Sequence, residues 1–175
     1  RVLFRSMVGF CVGEPWNARA INDRIGFTAA TSQSIWPEHP EKILGTRREW
    51  VESYPHTARA LVSALMEAQR WIDASPQNKQ ETAQLLARRA WLNTKEQYLT
   101  GRMLGEYDNG VGQRWQDAHP IRFFEDGAVS YPWHSDGMWF LTQFRRWGLL
   151  KTDPDYAAIA RRINRTDVWQ DAATA

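Results

Sequence analysis

MVGFCVGEPWNARAINDRIGF, residues 7–27, is an apolar run that stops at Glu14-Pro15, directly before a segment with helical character. Because a proline restricts the preceding residue to extended conformations, Glu14 is predicted to end a strand. Proline also suits the first position of a helix, where its missing N–H costs nothing. The stretch therefore predicts a buried strand, a tight turn and the start of a helix. In open α/β sheets, ligands bind at this kind of junction.

Three residues at this junction are candidates for binding a small anion. The indole N–H of Trp16 is a donor without an acceptor, and the side-chain amide of Asn17 can also donate. Free backbone N–H groups of the first helical turn would add to them. Glu14 would repel a bare anion, so it is predicted to hold a lysine or histidine in place, accept a proton from a protonated ligand or bind a cation that accompanies the anion. The alternative is that Glu14 and Asn17 only cap the helix.

The remaining sequence alternates predicted strands and helices, which favours an α/β fold. Apolar residues at Leu61, Leu65, Ala68 and Ile72 follow helical spacing, and they predict an amphipathic helix from Pro55 to about Asp73. The other predicted helices are 15–24, 48–54, 80–92, one that an Asn93-Thr94 capping box begins, 135–147, 154–164 and 166–175. The predicted strands are 7–13, 42–45 and a hairpin over 121–131 around Asp126-Gly127, with 105–116 as a loop. Residues 26–31 are predicted to be either another strand or an extended crossing.

Composition and motif spacing exclude several classes of function. A net charge of +2 without a lysine or arginine run gives no basis for direct nucleic-acid binding. The sequence contains no nucleophile–base signature, no glycine-rich phosphate loop and no metal-ligand spacing among its histidines, so no catalytic residue, metal or cofactor is predicted. Cys11 is predicted to be a small buried hydrophobe. Four tryptophans at apolar helical positions are predicted to pack in the core: Trp71, Trp91, Trp139 and Trp147.

Five segments together resemble one family of binding proteins. They are GFCVGEPWNARA, IWPEHPEKILGTRREWVESYP, ALMEAQRWID, VSYPWHSDGMWFLTQFRRWGLL and NRTDVWQDAA, in this order. They are similar to the nitrate/bicarbonate-binding (NrtA/CmpA-type) substrate-binding proteins of ABC transporters. The resemblance covers residues 7–175 and corresponds to the C-terminal half of such a protein. At His134-Ser135-Asp136-Gly137 the chain departs from the Lys-Ser-His-Asp of some members, so these positions are left out of the predicted site.

The resemblance implies an α/β, periplasmic-binding-protein-like (type II) two-lobed fold, of which this chain is the C-terminal portion. Residues 7–30 would form the end of the second lobe and the rim of the cleft, and residues 31–175 would return to the helix-rich first lobe. Residues 1–6, RVLFRS, match the translation of a common sequencing adaptor and are predicted to be non-native. Glu14, Trp16 and Asn17 would then lie at the cleft between the lobes.

The function implied by the resemblance is capture of a small oxyanion for an ABC importer on the outer face of the membrane or in the periplasm. Nitrate is the first choice, and nitrite, bicarbonate and cyanate are alternatives. The partners would be the permease subunits of the transporter. Similar proteins act in the cytoplasm as nitrate sensors that sequester an antitermination regulator, which is the second hypothesis. A third is an enzyme like those of thiamin-pyrimidine synthesis, which share the general fold.

Overall fold

The computed structural model describes residues 8–174, so the prediction for residues 1–6 lies outside the described residues. The chain divides into two compact units. Unit 1 contains the described residues up to Glu41 together with Trp71–Arg122. Unit 2 contains Lys42–Arg70 and the described residues from Phe123 onwards.

Unit 1 is a small helical cluster with one short hairpin. Its elements are α1 (Trp16–Asn22), α2 (Ser32–Ile35), α5 (Pro76–Ala87), α6 (Gln97–Leu104), β1 (Glu106–Asp108) and β2 (Arg114–Gln116). Helix α6 lies at its centre and contacts α5, α1 and β1. Its residues Tyr98, Leu99 and Met103 are buried, and so are Ala18 of α1 and Ala83 of α5. The core of unit 1 is therefore formed around α6.

Helix α6 continues into the hairpin through a glycine. Gly105 has a φ of +78° at the C-cap, where a left-handed conformation ends many helices. A side chain here would also collide with Gln116, because a Cβ atom would lie 2.7 Å from its Nε2. β1 and β2 then pair antiparallel with Tyr107 opposite Trp115, and the two rings stack with centroids 4.7 Å apart.

Unit 2 consists of helices around a second small core. Its helices are α3 (Arg48–Ser53), α4 (Pro55–Asp73, counted here to Arg70), α7 (His134–Arg146), α8 (Tyr156–Ile163) and α9 (Thr166–Ala173), with a 3-10 turn at Glu125–Gly127. α7 packs on α8, where Leu141 and Ala160 are buried. The Ser63 hydroxyl donates to the Ala172 carbonyl at 3.0 Å and joins α4 to α9.

Most predicted helices are confirmed. The helix predicted from Pro55 to about Asp73 is α4 with the same bounds, and the predicted helix after Glu14-Pro15 is α1. The predicted helix 80–92 begins earlier, at Pro76, because the Ser75 hydroxyl accepts the Asn78 N–H and caps it. The predicted capping box at Asn93-Thr94 is wrong, since α6 begins only at Gln97 and has no side-chain cap.

The predicted strands are wrong within the described residues. Residues 8–13, 26–31 and 42–45 are not strands, and the described part of the chain contains one sheet, formed by β1 and β2. A strand exists only when a neighbour pairs with its backbone groups, and apolar composition alone does not supply that neighbour. Residues 8–13 consequently expose Val8, Phe10 and Val12.

The predicted hairpin and the predicted loop are interchanged in the structure. The Asp126-Gly127 pair does adopt positive φ angles, +52° and +92°, as a primed turn requires. Its flanks do not pair, however, because residues Glu125–Gly127 form a 3-10 turn, in which the Gly127 and Ala128 N–H groups donate to the carbonyls of Phe124 and Glu125. The predicted loop 105–116 instead contains the β1–β2 hairpin. Its Asn109-Gly110 turn is a hairpin signal that could have been recognised.

The prediction of buried residues also fails at several positions. Cys11 is exposed, and the tryptophans predicted to be in the core are exposed as well: Trp71, Trp91, Trp139 and Trp147. Helical periodicity identifies an apolar face, but burial requires a second surface that covers it. The described residues do not cover these four side chains.

Candidate functional site

The carboxylate of Glu14 is held on both of its oxygens. Oε1 accepts a hydrogen bond from Arg102 Nε at 2.9 Å, and Oε2 accepts the backbone N–H of Ala18 at 3.0 Å. The side chains of Glu14 and Arg102 are 28% and 11% exposed, respectively. Glu14 therefore has a cationic partner, and this partner is an arginine, Arg102, where a lysine or histidine was predicted.

The same contacts bear on the capping alternative. Glu14 accepts the Ala18 N–H, which is one of the groups in the first turn of α1 that were predicted to be free for a ligand. The Trp16 N–H points to the Gly13 carbonyl at 3.4 Å, and the Arg19 N–H donates to the Pro15 carbonyl at 2.9 Å. The expectation of uncompensated donors at this helix end is thus wrong for these groups, because the turn itself accepts them.

Trp16 and Asn17 differ in how far they are engaged. The Asn17 side-chain amide donates from Nδ2 to the Val12 carbonyl, and an amide nitrogen carries a second hydrogen that can donate elsewhere. Trp16 is 43% exposed. The anion-binding role of Glu14, Trp16 and Asn17 stays a prediction, with Trp16 the most accessible of the three.

Arg102 is the residue that the sequence did not predict. It lies on α6, 88 positions from Glu14, and its guanidinium lies over the Tyr107 ring at 3.5 Å from the centroid. Nη1 and Nη2 point to the backbone carbonyls of Glu106 and Asp108 at 3.3 and 3.4 Å. Each terminal nitrogen therefore meets a fixed oxygen while Nε meets Glu14. No local sequence signal joins positions so distant in the chain.

A groove of about 1110 Å³ opens beside this cluster within unit 1. Its lining combines aromatic, cationic and acidic side chains: Phe27, Tyr98, Arg102, Tyr107, Asp108, Arg114 and Trp115 are among them. Glu14, Trp16 and Asn17 are not part of this lining. Burial raises the pKa of the Tyr107 hydroxyl above its ordinary value. The groove thus adjoins the predicted site residues without containing them.

Tyr98, which lines the groove, forms a hydrogen bond with the acidic side chain of Asp23 at the end of α1. Its hydroxyl donates to Asp23 Oδ1 at 2.6 Å, and this bond is the largest cause that lowers the pKa of Asp23. A depressed carboxyl pKa gives stability that is present above the unfolded-state pKa and is lost as the pH falls through the folded-state pKa.

Replacing Tyr98 with phenylalanine is therefore expected to raise the pKa of Asp23 towards its ordinary value of 3.8. The variant should begin to lose this group's contribution to stability at a higher pH than the wild type does. A carboxyl NMR titration of Asp23 measures the pKa directly. Tyr156→Phe, which removes a similar bond to Asp153, serves as the control and should leave Asp23 unchanged. An equal Asp23 pKa in Tyr98→Phe and wild type would contradict the prediction.

The described residues contain neither a cluster of metal ligands nor a helix that could span a membrane. Across residues 8–174, no three histidine, cysteine or acidic side chains lie together as metal ligands would. In the same part of the chain, every helix is too short or too polar to cross a bilayer.

Several known proteins are similar to this chain in sequence. The profile of the NMT1-like family matches residues 2–87. The chain is 40% identical to the nitrate/nitrite binding protein NrtA of Nostoc sp., over 95% of this chain and 38% of that protein. It is 38% identical to the bicarbonate-binding protein CmpA of Synechococcus elongatus, over 94% of this chain and 38% of that protein. The nitrate import ATP-binding protein NrtC of Synechocystis matches at 39%, over 94% of this chain and 24% of that protein.

A solved structure agrees with these relatives. The crystal structure of the periplasmic nitrate-binding protein NrtA from Synechocystis superimposes with a TM-score of 0.89 at 40% identity, covering 94% of this chain and 43% of that one. The predicted resemblance and the periplasmic-binding-protein-like fold are therefore confirmed. The chain spans about two fifths of the length of the binding proteins it matches, 38% for the NrtA of Nostoc.

Proposed function

Because the chain is homologous to the nitrate/bicarbonate-binding proteins over nearly its whole length, we propose that it belongs to a solute-binding protein that captures a small oxyanion for an ABC importer. Nitrate is the proposed ligand, with nitrite, bicarbonate and cyanate as alternatives. The observation that carries this proposal is the 40% identity to NrtA over 95% of the chain. The TM-score of 0.89 to the NrtA crystal structure supports it at the level of backbone geometry.

The proposed ligand contacts come from the junction before α1. Trp16 would donate its indole N–H, and Asn17 would donate the amide hydrogen that Val12 does not use. Glu14 would set the charge at the rim without touching the anion. In this proposal, residues 7–30 form part of the cleft rim and residues 31–175 return to the other lobe. The partners would be the permease subunits of the importer, and the location would be the periplasm or the outer face of the membrane.

A second candidate function follows from one comparison. The chain is 39% identical to a region that makes up 24% of the nitrate import ATP-binding protein NrtC, so a similar segment occurs in an ATP-binding protein. In that setting it would sense the oxyanion for the ATPase rather than deliver it. A cytoplasmic nitrate sensor that holds an antitermination regulator stays the alternative predicted from the sequence.

The complete reading frame distinguishes these candidates. A secretion or lipoprotein signal upstream supports capture for transport. A phosphate-binding G-x-x-x-x-G-K-[S/T] loop upstream supports the ATP-binding protein. A complete gene without either feature supports the cytoplasmic sensor.

The ligand class is tested by thermal unfolding of the complete protein with nitrate, nitrite, bicarbonate and cyanate, with chloride as the control. A ligand at a concentration of about 100 times its Kd stabilises the folded state by about 2.7 kcal/mol. We expect one of the four oxyanions to raise Tm while chloride does not. An unchanged Tm with all four would contradict the proposal.

A further inference from the structure

We propose that Arg102 is a positioning residue of the anion site, which neutralises Glu14 and fixes its carboxylate beside the ligand-binding rim. This inference rests on the proposed function, because it concerns the site that Glu14, Trp16 and Asn17 would form. It adds a residue from α6 that does not touch the ligand and acts through Glu14.

The ion pair between Arg102 and Glu14 is short and largely shielded from solvent. Arg102 Nε and Glu14 Oε1 are 2.9 Å apart, and the Arg102 side chain is 11% exposed. A pair this shielded is screened by salt far less than an exposed one. By comparison, the ion pair between Arg19 and Asp23 has a longer separation of 3.3 Å and an arginine that is 54% exposed.

Contacts other than the one with Glu14 also hold Arg102 in place. Its two terminal nitrogens point to the carbonyls of Glu106 and Asp108, and its guanidinium lies over Tyr107. The planar, multiply donating guanidinium makes such a fixed arrangement, which lysine would not reproduce. The Glu14 carboxylate is thereby held in one position, with its other oxygen on the Ala18 N–H.

The charge on Glu14 affects how a bound anion would be held. A carboxylate near the indole of Trp16 would repel nitrate, and the repulsion grows as water is excluded. With Arg102 in contact, the pair carries no net charge towards the ligand. Glu14 can then hold the turn before α1 in shape without lowering anion affinity.

The experiment is a double-mutant cycle on nitrate binding by the complete protein. Arg102→Met removes the charge and keeps the length of the side chain, and Glu14→Gln removes the carboxylate and keeps an acceptor for Ala18. We expect Arg102→Met to raise Kd at least about tenfold, which corresponds to 1.4 kcal/mol. The double variant should recover to within about threefold of the wild type, because no uncompensated carboxylate remains. Because removal of an unpaired carboxylate can also restore stability, each Kd is measured well below the unfolding midpoint of every variant, so that only the effect on binding is compared.

Two further variants keep the test decisive. Arg19→Met removes one positive charge from the exposed pair that Arg19 of α1 forms with Asp23, and it should change Kd by less than about twofold. Arg102→Lys keeps the charge, and it should raise Kd less than Arg102→Met does. If Arg102→Met does not fold, Arg102→Gln, which also removes the charge, takes its place with the same expected result. An unchanged Kd in Arg102→Met, or a double variant as weak as Arg102→Met, overturns the inference. Failure of the proposed function is distinct, because the wild type itself would then bind none of the four oxyanions.

Discussion

Replacing Trp16 with alanine is expected to weaken nitrate binding by the complete protein by about 1–3 kcal/mol, the usual cost of leaving a buried polar partner unpaired. The indole is 43% exposed at the turn before α1. It therefore has room to donate its N–H to a bound anion, and the ring is not needed to fill the core. The backbone turn is formed by contacts that alanine keeps, including the bond from the Arg19 N–H to the Pro15 carbonyl.

Calorimetric titration of the variants with nitrate measures this effect. Trp16→Phe keeps an aromatic ring and removes the N–H, so it should lose most of the same affinity. Trp91→Ala is the control, since Trp91 is an exposed tryptophan of the same unit outside the proposed site. Wild-type affinity in Trp16→Ala would assign the turn to helix capping alone.

Replacing Gly137 with alanine is expected to destabilise unit 2 by about 1–3 kcal/mol, as overpacking of a filled interior does. An added Cβ would lie 2.5 Å from Asn164 Oδ1 and 3.4 Å from the Ala160 Cβ. Asn164 cannot turn away cheaply, because its Nδ2 donates to the Trp133 carbonyl at 2.8 Å. The close packing of α7 on α8 therefore requires a residue without a side chain at position 137.

Denaturant unfolding of the complete protein measures this loss through the midpoint of the transition that reports on unit 2. Gly45→Ala is the matched control, because nothing lies within 4 Å of an added Cβ there. The control should change stability by less than about 0.5 kcal/mol. Equal midpoints for Gly137→Ala and the control would contradict the packing argument.

The helices could largely be predicted from the sequence, and the strands could not. The apolar spacing in Pro55–Asp73 is a property of one segment, so the amphipathic helix could be read directly. A strand depends on a partner that lies elsewhere, and residues 8–13 have the right composition without a strand neighbour among the described residues. The hairpin at Asp126-Gly127 fails for a related reason, since these residues form a 3-10 turn and no strand among the described residues pairs with its flanks.

The candidate site shows the same division. The turn before α1 could be located from Glu14-Pro15, because proline constrains its neighbours in the chain. The cationic partner of Glu14 could be predicted as a type of side chain, but its identity could not. Arg102 reaches Glu14 only because α6 packs on α1. Tertiary contacts of this kind leave no signal in a single sequence.

Calorimetric titration of the complete protein with nitrate tests the central claim most directly, with nitrite and bicarbonate titrated in parallel and chloride as the control. We predict that at least one of the three oxyanions binds saturably, with one anion per protein. Oxyanions that bind should displace one another from a single site, and chloride should give no binding heat. We also predict that the same titration is weakened in Trp16→Ala. Absence of saturable binding for all three oxyanions, in a protein shown to be folded, would contradict the account.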